Sequence, residues 1–210
     1  ESGERTPYQR DISIPIAFVE ACNTYRVRVR MADATGRWSH WSEPIEFKAD
    51  EQSDPLAGQL RVTEIMYHPQ DPPQGAFTLQ DDYEFIELKN IGAQPIELQG
   101  VRFTSGITFT FPQLQLPAGG YVVVVSGLEA FTSRYDTAGM LIAGQFDGQL
   151  SNAGEGLRLE GASGQRIAEF DYQDAWLPIT DGDGFSLTAV DPAGDLAAWD
   201  AAAGWRPSTL

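Results

Sequence analysis

The chain has 210 residues, of which 42% are hydrophobic and 21% are charged, a composition typical of a globular protein. Its formal net charge of −16 makes the surface repel phosphate, which excludes nucleic acid as an expected partner. The sequence contains no run of about 18 apolar residues, so no membrane span is predicted.

The glycine and proline content indicates the fold class. The chain contains 21 glycines and 13 prolines, and long amphipathic helical patterns are scarce, so we expect an all-β protein with many turns. The single cysteine, Cys22, excludes an internal disulfide framework and is predicted to be a small, partly buried thiol. Residues 1–50 carry seven basic and eight acidic side chains, whereas residues 51–210 carry seven and 22, so the acidity belongs to the second part.

Three strands are predicted at the start of the chain, at residues 12–15, 25–31 and 44–48, with a turn at 33–36. The second strand alternates strictly between apolar and arginine side chains. Its apolar face consists of Tyr25, Val27, Val29 and Met31. We expect the next domain, or another copy of the chain, to cover this face.

The segment Trp38-Ser39-His40-Trp41-Ser42 resembles the WSxWS box in the last strands of cytokine-receptor fibronectin type III domains. In that family, arginines of the preceding strand stack between the tryptophans. The resemblance implies cation–π contacts of Trp38 and Trp41 with the arginines of residues 25–31, which are Arg26, Arg28 and Arg30. A sandwich of this type has about 100 residues. Residues 1–50 are therefore predicted to be a partial fibronectin type III-like segment, and residues 51–58 a linker.

From residue 60 onward, apolar runs alternate with turn signals. Strands are predicted at residues 60–67, 83–90, 96–103, 107–111, 121–125, 140–143, 157–160, 167–172 and 185–190. The strand at 121–125 is expected to be buried on both faces. One short helix is predicted at 128–135, and the tail from residue 199 is expected to pack back onto the body.

Six segments, in order along the chain, resemble the bacterial form of the lamin tail domain. The resemblance covers about residues 59–208, and the domain is assigned to 59–210. The segments are Thr63-Glu64-Ile65-Met66-Tyr67-His68-Pro69, Glu84-Phe85-Ile86-Glu87-Leu88-Lys89-Asn90, Leu98-Gln99-Gly100-Val101-Arg102-Phe103, Leu116-Pro117-Ala118-Gly119-Gly120-Tyr121, Leu150-Ser151-Asn152-Ala153-Gly154-Glu155 and Asp181-Gly182-Asp183-Gly184-Phe185-Ser186-Leu187. The resemblance implies an immunoglobulin-like β-sandwich without enzymatic activity, carried as an accessory module in exported proteins. The basic surface of a chromatin-binding lamin is missing.

A calcium site is one reading of Asp181-Gly182-Asp183-Gly184, because carboxylates at alternate positions converge on an ion in calcium loops. Asp171 and Asp174 are close in sequence and are candidates for further ligands. The other reading is a turn that feeds the next strand, because glycines permit positive φ. Phe185 and Ser186 stand where an EF-hand requires an oxygen ligand and a glycine.

Other acidic residues support binding or catalysis less well. Asp71, Asp81, Asp82 and Glu84 bracket the long loop at residues 68–82 and are read as a solvated rim rather than a metal site. Glu64 and Glu87 are expected to form hydrogen bonds to backbone groups or to Tyr and Arg side chains at the sheet margin. They are not read as the carboxylate pair of a glycoside hydrolase. The two histidines, His40 and His68, have no neighbours at zinc-ligand spacing.

The function expected from the sequence is a non-catalytic interaction or structural module of an exported bacterial multidomain protein. It would bind neighbouring domains or another protein through loops and edge strands. The alternative is a calcium-dependent carbohydrate-binding module, in which loop tryptophans form a platform for sugars. Three tryptophans in the last quarter are candidates for that platform or for the core: Trp176, Trp199 and Trp205.

Overall fold

A computed structural model describes residues 23–48, 53–72, 77 and 79–209. Contacts divide the chain into two compact units, residues 1–52 and 53–210. Cys22 and the predicted strand at 12–15 lie outside the described residues. Within the described ranges, no helix combines the length and the apolarity needed to cross a bilayer.

The first unit contains an antiparallel pair, β1 (Thr24–Val27) and β2 (Ile45–Lys48). The strand predicted at 25–31 is too long, because the backbone beyond Val27 bonds to serine side chains. The N–H of Val29 donates to Ser42 Oγ at 3.1 Å, and the N–H of Met31 donates to Ser39 Oγ at 3.0 Å. The predicted turn at 33–36 is confirmed by its backbone hydrogen bond of 3.0 Å.

Arginine and tryptophan side chains interleave beside this pair. The guanidinium carbon of Arg30 lies 4.5 Å from the ring centroids of both Trp38 and Trp41, and that of Arg28 lies 5.5 Å from Trp41. The predicted cation–π contacts of these two arginines are confirmed. Arg26 differs, because its Nε pairs with Glu46 Oε1 at 3.2 Å. The cover expected over the apolar face of this segment stays a prediction.

The second unit is built from twelve strands and one α-helix within the described residues. In chain order these are β3 (Leu60–Met66), β4 (Phe85–Asn90), β5 (Ile96–Glu97), β6 (Arg102–Ser105), β7 (Phe109–Thr110), β8 (Gln115–Leu116), β9 (Tyr121–Val125), α1 (Leu128–Arg134), β10 (Ile142–Gln145), β11 (Glu155–Glu160), β12 (Arg166–Tyr172), β13 (Leu187–Ala189) and β14 (Trp205–Pro207). The predicted helix at 128–135 is confirmed to within one residue.

The strands form the predicted β-sandwich. A six-stranded sheet, in the order β10-β9-β4-β3-β13-β14, and a four-stranded sheet, in the order β12-β11-β6-β7, contribute side chains to one buried cluster. Ile65, Leu88 and Val124 come from the first sheet, and Phe103 and Leu159 come from the second. Strands β9 and β10 are parallel, and the other pairs are antiparallel. The immunoglobulin-like all-β fold expected from the sequence is therefore confirmed.

A β-bulge in β3 decides which side chains face the core. Val62 pairs with Leu88 and Glu64 pairs with Glu87, so Thr63 is an extra residue between the two pairs. Such a residue interrupts the strict alternation of a strand. Val62 and Ile65 consequently both enter the core, and Glu64 projects from the opposite face of the sheet.

The strand predicted at 96–103 is wrong as a single element. Gly100 has φ +79°, in the left-handed region that glycine adopts without steric cost, and a turn separates β5 from β6 there.

Strand β9 is buried on both faces as predicted: Val122, Val123, Val124 and Val125 are all buried.

The C-terminal tail closes the sandwich. Trp199 and Trp205 are buried, and their rings meet edge to face with centroids 6.2 Å apart. The indole N–H of Trp199 donates to the carbonyl of Val62 at 2.9 Å, and that of Trp205 donates to the carbonyl of Trp199 at 2.9 Å. The predicted return of the tail to the body is confirmed, and β14 completes the edge of the six-stranded sheet.

A fully buried carboxyl group, Glu84, precedes β4. Its Oε2 accepts a hydrogen bond from the N–H of Leu150 at 2.9 Å, while Oε1 has no hydrogen-bond partner among the described residues. Burial raises the pKa of Glu84 to about 8; the Leu150 bond opposes this shift, and the charges of Asp81 and Glu155 add to it. The side chain is consequently protonated in the folded protein at neutral pH.

Replacing Trp199 tests the closure by the tail. We expect Trp199→Ala to lower the free energy of unfolding by about 3–5 kcal/mol, because it leaves a cavity and an unpaired carbonyl at Val62. Trp176→Ala, at a half-buried tryptophan, is the control and should cost clearly less. Urea denaturation measures both values. Equal losses in the two variants would contradict the assigned role.

The pH dependence of stability tests Glu84. A carboxyl whose pKa is raised on folding binds more protons in the folded than in the unfolded state, so its contribution to stability falls as pH rises from about 4.5 to about 8. We expect Glu84→Gln to flatten the decline in the free energy of unfolding across this range. Glu129→Gln, at an exposed position, should leave the decline unchanged. The same slope in wild type and Glu84→Gln would refute the raised pKa.

Candidate functional site

The outer face of the six-stranded sheet, opposite the core, carries a second apolar cluster. Met66, Phe85, Val123 and Val125 project from β3, β4 and β9, and Phe131 of α1 packs on them. The ring of Phe85 meets that of Phe131 edge to face with centroids 5.5 Å apart. The helix thus covers the apolar side chains that β4 and β9 present away from the core.

A groove lies beside this cover, with a volume of about 630 Å³. This sheet groove lies within the range of about 300–1,000 Å³ found for ligand pockets. Tyr121 and Met140 in its wall are each 46% exposed. The lining residues are Glu64, Met66, Phe85, Glu87, Tyr121, Val123, Phe131, Tyr135, Gly139, Met140, Leu141, Gly184, Ser208 and Thr209.

Two carboxylates lie side by side in the sheet groove. Glu64 on β3 is the direct cross-strand partner of Glu87 on β4, and both side chains are half-buried. The Ser186 hydroxyl donates to Glu64 Oε1, and the Thr63 hydroxyl donates to Glu87 Oε1 at 2.6 Å. Both acids therefore form the predicted side-chain hydrogen bonds, although with hydroxyl groups rather than the expected backbone, tyrosine or arginine partners.

Neither carboxylate has an ion-pair partner within the part of the chain that the structure describes. Lys89 and Arg206 act on them only from a distance. The Lys89 ammonium instead donates to the Tyr121 hydroxyl at 2.7 Å and lies 4.6 Å from that ring centroid. The groove therefore contains two adjacent acidic groups whose charge no cation neutralises at contact distance.

The environment makes ionisation of both groups costly. Burial raises the pKa of Glu64, and burial also raises the pKa of Glu87, to which the charge of Glu64 adds. The hydrogen bonds from Ser186 and Thr63 oppose these shifts. A cation bound between the two groups would relieve their repulsion. The sequence contained only an indirect signal for this site, because the Glu64–Glu87 pairing depends on the bulge at Thr63.

The predicted calcium residues lie elsewhere in the second unit. Asp181 Oδ1 lies 2.5 Å from Nδ1 of His68, and the N–H of Gly182 donates to the His68 carbonyl at 3.2 Å. Gly182 and Gly184 have φ of +89° and +90°. Both glycines therefore have the positive φ on which the alternative reading as a turn depends.

The remaining candidate ligands are not gathered around Asp181. Asp183 is exposed, and Asp174 begins a 3₁₀ turn, Asp174–Trp176. Asp171 is exposed, and its N–H donates to Asp200 Oδ1 at 2.9 Å. Throughout the described ranges, no three His, Cys, Asp or Glu side chains form a group that could hold a metal ion. The calcium site stays a prediction from the sequence.

The loop acids and the tryptophans take structural positions. Asp81 Oδ2 accepts from the Gln149 amide at 2.6 Å, Asp71 is exposed and Asp82 is half-buried. Residues 73–76 and 78 of that loop lie outside the described residues.

The core reading of Trp199 and Trp205 is confirmed, and Trp176 packs against the same core. These tryptophans do not form an exposed platform for sugars.

A melting experiment tests the calcium prediction. We expect the melting temperature to be the same in millimolar calcium and in chelator, because Asp181 is engaged by His68 and, in the described part of the chain, no metal-binding group of side chains surrounds it. An ion that binds only the folded state would raise the melting temperature. A rise that Asp183→Asn abolishes, and that the exposed-site control Asp136→Asn retains, would contradict this expectation.

A comparison with known protein families identifies a match. The profile of the Lamin Tail Domain family matches residues 53–174, more than half of the chain. A search of curated proteins finds no match. The match covers both apolar faces of β4 and β9, and the following residues, through β14, complete the same sandwich. The chain belongs to the lamin tail domain family, whose members are non-catalytic immunoglobulin-like modules.

Proposed function

We propose that this chain is an interaction module of an exported bacterial multidomain protein, in which it docks a neighbouring domain of the same polypeptide. The observation that carries the proposal is the incomplete cover over the outer face of the six-stranded sheet. The sheet groove leaves Tyr121 and Met140 exposed beside a buried apolar floor. Aromatic residues and methionine are enriched at protein interfaces.

An open sheet edge next to the groove supports the same proposal. Strand β10 ends the six-stranded sheet and pairs only with β9 among the described residues. The edge at β12 is covered, because the N–H of Asp54 donates to the Arg166 carbonyl at 2.8 Å and the Asp200 carboxylate accepts from the N–H of Asp171. The edge at β14 is three residues long and ends in Pro207. An unpaired edge such as β10 is a template for an added strand.

The first unit fits a role as part of a fibronectin type III-like domain that precedes the module. The ladder of Arg28, Arg30, Trp38 and Trp41 supports this assignment, because cation–π stacking and serine hydrogen bonds rigidify the two-stranded pair. In this proposal the segment is structural and recognises no ligand. The carbohydrate-binding alternative lacks such support, because Trp199 and Trp205 are in the core.

Hydrogen exchange tests the docking. We expect the amides of Ile142–Gln145 to exchange more slowly in the full parent polypeptide than in the isolated 210-residue chain, because docking would satisfy or shield the β10 edge. Amides of Leu159 and Glu160, which are paired on both sides in β11, are the internal control and should be unchanged. Identical exchange across residues 53–210 in both proteins would contradict docking. Recovery of the parent protein from the cytosolic fraction alone would contradict export.

A further inference from the structure

The chemistry of the sheet groove restricts what it can bind. This inference rests on the proposed interaction function and concerns the groove rather than the β10 edge. Glu64 and Glu87 project directly beside each other, and each uses one oxygen to accept from a hydroxyl group. In the described part of the chain, their other oxygens have no hydrogen-bond partner. Two acceptors thus remain for a donor that enters the groove.

A positively charged donor is favoured over a neutral one. Like charges directly opposite each other on neighbouring strands are destabilising, and no Lys or Arg side chain of the described ranges lies within ion-pair distance of either acid. The second part of the chain holds 22 acidic and seven basic side chains, so its long-range field also attracts cations. Charge complementarity therefore selects a cationic group.

The shape of the donor follows from the other walls. The rings of Tyr121 and Tyr135, which keep exposed surface, line the groove together with the acids, whereas the rings of Phe85 and Phe131 are buried. A guanidinium group is planar, bonds carboxylates through a fork of N–H groups and stacks on aromatic faces, whereas an ammonium group is a compact and strongly hydrated point charge. Acids next to aromatic rings therefore match the guanidinium group of arginine.

The size of the groove indicates that the arginine belongs to a longer segment. A volume of about 630 Å³ is in the range for drug-sized ligands and exceeds what one guanidinium group fills. Tyr121 and Met140 extend the apolar surface to the rim, where a free small cation would leave them exposed. Apolar residues flanking the arginine would cover them.

We propose that the sheet groove binds an arginine side chain of a partner polypeptide segment, with the guanidinium group between Glu64 and Glu87 and apolar neighbours of that arginine against Tyr121 and Met140. The occupant is a segment of another domain or protein, not a second copy of this chain and not a free small cation.

Methyl NMR of the full chain provides the readout. The protein has three methionines, of which Met66 and Met140 line the groove, while Met31 lies in the first unit and is the internal reference. We expect Nα-acetyl-arginine amide to shift the Met66 and Met140 methyl signals in a saturable way and to leave Met31 unchanged. Nα-acetyl-citrulline amide, which has the same shape without the charge, should bind about tenfold more weakly. Equal shifts with both probes, or none with the arginine probe, would overturn the proposal.

Variants assign the effect to the two acids. Glu64→Gln and Glu87→Gln keep an acceptor for Ser186 and Thr63, and each should weaken binding of the arginine probe about tenfold. Glu97→Gln makes the same change in net charge at an exposed position and should bind like wild type. Wild-type affinity in both groove variants would overturn the proposal. Because the citrulline comparison uses the wild-type protein, the test stands even where a variant fails to fold.

Two further measurements test the kind of occupant. A peptide with leucine and phenylalanine beside the arginine should bind about tenfold tighter than the acetyl-arginine amide, and equal affinity would indicate a small-cation site. Shifts of the Met66 and Met140 signals on dilution without ligand would indicate a second copy as the occupant. Either outcome would overturn this inference. Slower exchange at Ile142–Gln145 in the parent protein would still support the docking function, so the two proposals fail separately.

Discussion

The outward apolar face of β4 and β9 is the constraint on which the groove depends. These strands carry apolar side chains on both sides, so the six-stranded sheet needs a cover as well as a core. The cover is α1, whose seven residues span about 10 Å, whereas six strands side by side span about 24 Å. One short helix therefore shields Phe85, Val123 and Val125 and leaves the neighbouring face open. The sheet groove is the part of that face beyond the helix.

The bulge at Thr63 turns this open face into a chemically specific one. Without the extra residue, strict alternation would place Glu64 on the face of the sheet opposite the one it occupies. With the bulge, Glu64 stands beside Glu87, and Thr63 supplies a hydroxyl donor to Glu87. The arrangement costs stability, because two half-buried acids repel each other. A local departure from favourable packing of this kind is typical of functional positions, where the cost is offset elsewhere in the fold.

Local sequence patterns predict most of the strands and turns. The features that they miss depend on contacts between residues far apart in the sequence. The valines at 121–125 and the glycines around Asp183 identify a buried strand and a turn from neighbouring residues alone. The Ser186–Glu64 bond joins residues 122 positions apart, and the Trp199–Val62 bond joins residues 137 apart. No periodicity encodes such pairings. The contact of His68 with Asp181 joins residues 113 positions apart, so the residues around Asp181 and Asp183 do not reveal it. The sequence at 96–103 predicts a single strand because the run is strand-like throughout. The turn at Gly100 divides this run into β5 and β6.

Acidity has two separable consequences for this module. Most acidic side chains of the described residues are exposed. At physiological salt their mutual effects decay over about 8 Å, so they keep phosphate away and speed the approach of cations without selecting among them. Glu64 and Glu87 differ because half-burial screens them less. Charge at the surface thus governs the rate at which a cationic partner meets the module. The half-buried pair, Glu64 and Glu87, governs which group stays bound. The same net charge that separates this chain from chromatin-binding lamins therefore favours basic segments as partners, with the sheet groove as the place where the two effects coincide.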